Sequence, residues 1–235
     1  MTSPSLFKGR HFEPTLILLC VRWYLSYPLS YRNLQEMMAE RGFHVDAATI
    51  YRWVQAYAPE VNKRTRRHLR PTSDRWHVDE TYIEVKGRWT YLYRAVDDQG
   101  QTVDFLLSAK RDMVAALRFF QRALRSPHNG VPRTLVVDRA PSYPSALIQL
   151  RREGHLDSAV QLITGRGLNN RIEQDHRRIK RLVRYGLGFK TFDSARRTLD
   201  GYEAMAMIRK GEVAVDQPSG WSAAAFLEGI FGVVA

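Results

Sequence analysis

Two periods of apolar residues divide this chain. Up to about residue 58 the apolar positions recur at helical spacing, and three helices are expected there. The first covers about Thr15–Tyr27 and ends at Pro28. Ser30 caps the second, where Tyr31, Leu34 and Met38 share one face until Gly42 stops it. Asp46 caps the third, in which Ile50, Trp53, Val54 and Tyr57 follow the i, i+3, i+4, i+7 pattern. From Arg75 the pattern changes to strands: Trp76–Val85, Arg88–Val96 and Val103–Ser108, with turns at Gly87 and Asp97–Gly100. Helices and strands then alternate: helix Asp112–Leu124, strand Thr134–Val137, helix Ser142–Arg152, strand Ser158–Ile163 and helix Asn170–Tyr185. Two further helices, Ser194–Lys210 and Ser222–Phe231, close the series. Three consecutive strands followed by alternating elements predict an α/β fold, a mixed five-stranded sheet flanked by helices. That order is RNase H-like, and a small all-α helix-turn-helix domain precedes it. The expected division is 1–60 helix-turn-helix, 61–72 basic linker, 73–212 RNase H-like domain and 213–235 tail with a short helix.

Charge changes this picture more than composition does. An apolar share of 44% is ordinary for a chain with a buried core, but a net charge of +12 is not. Such an excess suits a polyanion, either nucleic acid or an anionic membrane. The most apolar stretch, Leu16–Val21, is six residues long, far short of the roughly 20 needed to span a bilayer, so no membrane role is expected. Charged residues at Lys8, Arg10 and Glu13 interrupt any signal-peptide pattern. The single cysteine, Cys20, lies in an apolar run and reads as a small buried hydrophobe. A reducing, cytoplasmic location is the expectation.

The third helix leaves Thr49, Tyr51, Arg52 and Gln55 off its apolar face, as a DNA-reading helix does; a three-helix cap without DNA contact is the alternative. The run NKRTRRHLR (62–70), a linker or a short helix, brings Lys63, Arg64, Arg66 and Arg67, candidates for phosphate contact beside the reading of a solvated face.

Three carboxylates stand out by position. Asp79 (WHVDETY) and Asp138 (TLVVDRAPSY) each lie at the end of a strand-like run. Glu173 (NNRIEQDH) lies in the first turn of a basic helix, with 34 residues between it and Asp138. Two strand-end aspartates and one helix glutamate suit two Mg²⁺ ions beside a phosphodiester, because Mg²⁺ takes hard oxygen ligands and clustered carboxylates need a cation. Each also has an ordinary reading as a turn, cap or dipole residue. Glu80 and Glu84 are rivals to Asp79, although Glu80 should point to the opposite face of the strand. Lys180, two helical turns after Glu173, shares its face, and Arg177 and Arg181 flank it. The aromatic residues Trp53, Trp76, Trp89, Tyr91, Tyr93 and Tyr143 read as packing, with base stacking as a second role for Tyr143.

The phrases FKGRHF (7–12), SYRNLQEMMAERGFHVDAATIYRWVQAYAPE (30–60), WHVDETYIEVKGRWTYLYRAVD (76–97), VVDRAPSY (136–143), NNRIEQDHRRIKR (169–181) and LGFKTFDSA (187–195) together resemble bacterial insertion-sequence transposases. These belong to the DDE branch of the RNase H-like integrase superfamily, and the likeness is to the small cointegrate-forming, replicative enzymes. The resemblance implies a triad of Asp79, Asp138 and Glu173 holding two Mg²⁺ ions, with Mn²⁺ able to substitute. It implies Lys180 as the triad's basic companion, and Asn169 and Asn170 as the paired asparagines before the helix. Arg139 stands where close relatives are expected to carry Lys. Water would nick the DNA at the element's ends, and the freed 3′-hydroxyl would attack target DNA in one transesterification. The partners implied are double-stranded DNA, as terminal inverted repeats and target, and a second copy of the chain in a dimer or higher synaptic complex. The implied location is the bacterial cytoplasm, at the nucleoid. Two other readings stand beside this one: a nuclease of the same fold without strand transfer, and a helix-turn-helix regulator with an inert second domain.

Overall fold

A computed structural model describes residues 4–165, 170–214 and 221–233. They pack into two compact units, residues 70–180 and residues 1–69 together with 181–235.

The 70–180 unit is built on one sheet. Strand β1 (Arg75–Val85) turns back at Lys86-Gly87 into β2 (Arg88–Asp97), and β3 (Thr102–Ser108) follows. Lys86 and Gly87 both have positive φ (50° and 72°), the backbone that a two-residue turn between twisted strands requires. Helix α5 (Met113–Arg125) leads to β4 (Thr134–Val137), and α6 (Ser142–Arg152) leads to β5 (Gln161–Thr164). The order is β3-β2-β1-β4-β5. The first three strands are antiparallel, and β4 and β5 run parallel to β1. This is the RNase H-like mixed sheet expected from the element order, with β5 starting later than its apolar pattern suggests.

One sheet face carries the core. Trp76 and Val78 of β1, Tyr93 and Ala95 of β2 and Leu135 and Val137 of β4 pack against Phe119 and Phe120 of α5 and Leu147 and Leu150 of α6. Helix α7 (Asn170–Tyr185) meets the other face. Its Asp175 pairs at 3.3 Å with the buried Arg94, which alternates with Tyr93 and Ala95 along β2.

The second unit is all helix. It holds α1 (Pro4–Phe7), α2 (Pro14–Ser26), α3 (Tyr31–Ala39), α4 (Ala47–Thr65), α8 (Phe192–Arg209) and α9 (Ala223–Phe231). Ser30 and Asp46 cap α3 and α4, as their positions predict. Helix α4 continues past Pro59 to Thr65 and is followed by a 3₁₀ turn over Arg66–His68. The basic segment, read as a linker or a short helix, is helical at its start, where Val61, Asn62 and Thr65 are buried. Helix α8 packs along α4 and also against α2. Gly201 makes this close approach possible: a Cβ there would stand 2.6 Å from both methyls of Leu25 and 2.7 Å from the Ala58 Cβ. Among the described residues no helix is long and apolar enough to cross a membrane.

Candidate active site

Parallel pairing of β1 with β4 brings the two aspartates together. Val78 pairs with Val137, so Asp79 and Asp138 are each one residue beyond the last paired position. At that level β4 ends, whereas β1 runs on beside β2 to Val85, so the two carboxylates lie adjacent at the C-terminal end of β4. Asp138 then turns the chain, accepting the Ala140 N–H at 2.9 Å. Asp79 accepts the N–H of Glu80 at 2.9 Å.

A third carboxylate joins them that sequence alternation assigns elsewhere. Glu80 follows Trp76 and Val78 on the core face, as expected for a residue next to Asp79. Its side chain nevertheless reaches the strand end, where one oxygen each of Asp79, Glu80 and Asp138 lie within 4.8 Å of one another. The hydroxyl of Tyr143 donates to Glu80 Oε2, and the Arg111 guanidinium pairs with Glu80 Oε1. Arg111 also reaches Asp138 Oδ2 at 3.5 Å. Arg111 is a site residue that the sequence did not single out. It sits beside Asp112, the α5 cap, and nothing in its local pattern separates it from other surface arginines.

Glu173 lies outside that cluster, exposed in the first turn of α7. The helix face that carries it is nonetheless turned toward Asp79. His176, one turn further on, is buried with Nδ1 3.8 Å from Asp79 Oδ2. Burial pushes the His176 imidazole down to about 3, with Arg94 and Lys180 lowering it further, so the Asp79 contact is not an ion pair. Burial also pushes the Asp79 carboxyl up to about 7 against the pull of the Glu80 N–H; Glu80, Asp138 and Glu173 add to the rise. A cation among these carboxylates would remove that repulsion. Hard oxygen donors at this spacing fit a divalent ion such as Mg²⁺.

The basic candidates divide by exposure. Arg177, Lys180 and Arg181 are exposed on α7, while the side chain of Asn170, and all of Asn169, lie outside the described residues. On α4, Tyr51 and Arg52 are exposed, but Thr49 accepts from Arg52 at 2.8 Å and donates to Asp46 at 2.9 Å. Gln55 donates to Thr198 of α8 at 2.9 Å, so its amide is already engaged. Lys63 and Arg67 are exposed and Arg66 is half-buried. Arg64 instead packs over the Phe231 ring and donates to the Ile230 carbonyl at 2.6 Å, an anchor for α9. A cleft of about 390 Å³ opens beside α4, lined in part by Tyr31, Tyr51, Arg32, Leu187 and Lys190, with no acidic residue in its wall.

Tyr143 packs in the core, as its first reading has it; full burial removes it from base stacking, and its hydroxyl donates to Glu80. Trp89, read as packing, lies on the sheet surface, 63% exposed, with its ring against Tyr82 at the β1–β2 hairpin. Asp97, Asp104, Asp112 and Asp175 do have structural roles. Asp97 accepts from Ser73 and Gln101, Asp104 and Asp175 pair with Arg122 and Arg94, and Asp112 caps α5.

Comparison with known proteins agrees with this architecture. The family described as a DDE domain matches residues 73–212. The transposase for insertion sequence-like element IS431mec of Staphylococcus aureus is 38% identical over 207 residues, 88% of this chain and 89% of the relative. The transposase for insertion sequence element IS257 in transposon Tn4003, also of S. aureus, matches with the same identity and coverage. Among solved structures, the HTLV-2 integrase catalytic core domain in complex with magnesium is similar with a TM-score of 0.45 and 18% identity, over 65% of this chain and 94% of that one. A family match over more than half the chain and a full-length relative at this identity place the protein among the insertion-sequence DDE transposases, polynucleotidyl transferases with an RNase H-like core.

Proposed function

We propose that this transposase binds the terminal inverted repeats of its element, cuts there, and joins the freed 3′-hydroxyl to target DNA in a replicative, cointegrate-forming reaction. The observation that carries the proposal is the pairing of β1 with β4, which sets Asp79 beside Asp138 at the edge over which the Glu173 face of α7 lies. Asp79, Asp138 and Glu173 would hold two Mg²⁺ ions, or Mn²⁺ in their place. When bound, these ions neutralise the phosphodiester and lower the pKa of the attacking hydroxyl. The other steps belong to the chain's own groups. Lys180, with Arg177 and Arg181, would hold backbone phosphates along α7. Asn170, at the start of the same helix, would contact the strand next to the scissile bond. Transfer forms one P–O bond as another breaks, so it needs no nucleotide cofactor and no protein–DNA covalent link.

In this reading residues 1–60 form a helix-turn-helix domain and α4 is its reading helix. Tyr51 and Arg52 point outward and would meet DNA directly, and Thr49 and Gln55 would do so after leaving Asp46 and Thr198. Lys63, Arg64, Arg66 and Arg67 in 61–72 would add phosphate contacts, Lys63 and Arg67 being the most exposed. Residues 73–212 form the catalytic domain and 213–235 the tail. Two element ends must be held at once, so the active form is at least a dimer.

The test is strand transfer in vitro with a labelled duplex carrying the element's end, target DNA and Mg²⁺, beside Asp138→Ala. Joined product that requires both metal and Asp138, with end binding intact in the variant, is expected. Hydrolysis without joining would leave a nuclease instead. Unchanged joining by Asp138→Ala would refute the triad.

A further inference from the structure

Arg111 occupies the position at which this carboxylate cluster calls for a cation. It follows β3 and comes just before α5. Its two contacts differ in kind. Toward Glu80 it meets a carboxylate that is only 2% exposed and whose other oxygen is taken by the buried Tyr143 hydroxyl. Toward Asp138 it meets, at 3.5 Å, a carboxylate that is 37% exposed. The buried contact cannot be given up without stranding a desolvated charge, whereas the exposed one can. Both oxygens of Glu80 are thereby engaged, Oε1 by Arg111 and Oε2 by Tyr143, so an ion on Glu80 would share its oxygens with those two donors. Asp138 has Oδ1 on the Ala140 N–H, and its Oδ2 is the oxygen that Arg111 covers. A divalent ion shared by Asp79 and Asp138 has to compete with Arg111 for that atom.

We propose that Arg111 is a positioning residue that governs metal loading. It holds Asp138 Oδ2 before the ion arrives and yields it on binding, while Glu80, fixed by Tyr143, keeps the guanidinium at the site's edge. The inference rests on the reading that Asp79 and Asp138 hold a divalent ion. Arg111 thus keeps the carboxylates together without metal, at the cost of weaker metal affinity.

The test is Mn²⁺ binding to the full chain without DNA, followed by electron paramagnetic resonance, with thermal melts alongside. Arg111→Gln is expected to bind Mn²⁺ roughly thirtyfold more tightly, the effect of removing one positive charge about 4 Å from a divalent ion in a largely aqueous dielectric. Arg111→Lys is a second variant that keeps the charge. One ammonium cannot bridge as the planar guanidinium does and stays with the buried Glu80, so affinity rises by a smaller factor. Asp138→Asn should fail to bind Mn²⁺ and leave the free-ion signal undiminished. Binding that depends on Asp138 but is unmoved or weakened in both Arg111 variants would overturn the exchange and leave the metal reading standing. No Mn²⁺ uptake by the unaltered protein or by any variant would overturn the metal reading, and this inference with it.

Discussion

Gly201→Ala sets two known effects against each other at one atom. Replacing glycine inside a helix by alanine ordinarily stabilises by about 1 kcal/mol, because the backbone has less freedom to lose. Gly201 is in the middle of α8, so that gain applies. The added Cβ, however, would stand 2.6 Å from both Leu25 methyls and 2.7 Å from the Ala58 Cβ. Carbon contacts are most favourable near about 3.5–4.0 Å, so each neighbour would have to retreat by roughly 1 Å. Leu25 is fully buried in a close-packed interior, which leaves it little room to retreat. The Ala58 Cβ is fixed to the backbone of α4, so it moves only if the helix moves. Overpacking of this kind costs about 1–3 kcal/mol, and contact with two helices at once puts it at the upper end. The net expectation is a loss of about 2 kcal/mol, which for a chain of this size lowers Tm by roughly 4–8 °C. The assay is thermal unfolding followed by far-ultraviolet circular dichroism. Adding Ala58→Gly moves the methyl from one side of the contact to the other and should recover part of the loss. A Tm for Gly201→Ala equal to or above that of the unaltered protein would refute the close seating of α8 on α2 and α4.

Three further outcomes are expected. Tyr143→Phe removes a hydrogen bond to a buried carboxylate, worth about 1.5–3 kcal/mol, and should lower Tm by several degrees. Glu80→Gln should then cost less in the Tyr143→Phe background than alone, and strictly additive losses would show that the two side chains are not coupled. Lys180→Ala should reduce the slope of log affinity for DNA against log salt by about 0.9, the value for one phosphate contact, and an unchanged slope would remove Lys180 from the interface. Cys20 is fully buried and burial pushes its thiol up to about 11, so a thiol reagent should label it only as the protein unfolds. Rapid labelling under native conditions would contradict the packing of α2.

What the sequence made legible, and what it did not, follows from the range of each signal. Strand periods, caps and turn residues are local, and they located β1, β2, α3, α4 and α5 within a residue or two at most ends. The closeness of Asp79 and Asp138 was accessible too, because each is the residue after the last position of the parallel β1–β4 pairing. Alternation along β1 was correct for Glu80 yet misleading about its role. A glutamate is long enough to reach from the core face toward the end of β4, and it did so because Arg111 and Tyr143, 31 and 63 residues further on, meet it there. No local pattern carries that information. Gln55 teaches the same lesson from the other direction. Its place on the polar side of α4 made it a candidate reader of DNA, but α8, some 140 residues later, supplies Thr198 as its partner. A polar helix face is therefore open to solvent only where no later element covers it. On α4 that leaves Tyr51 and Arg52 as the residues on which DNA reading can first be tested.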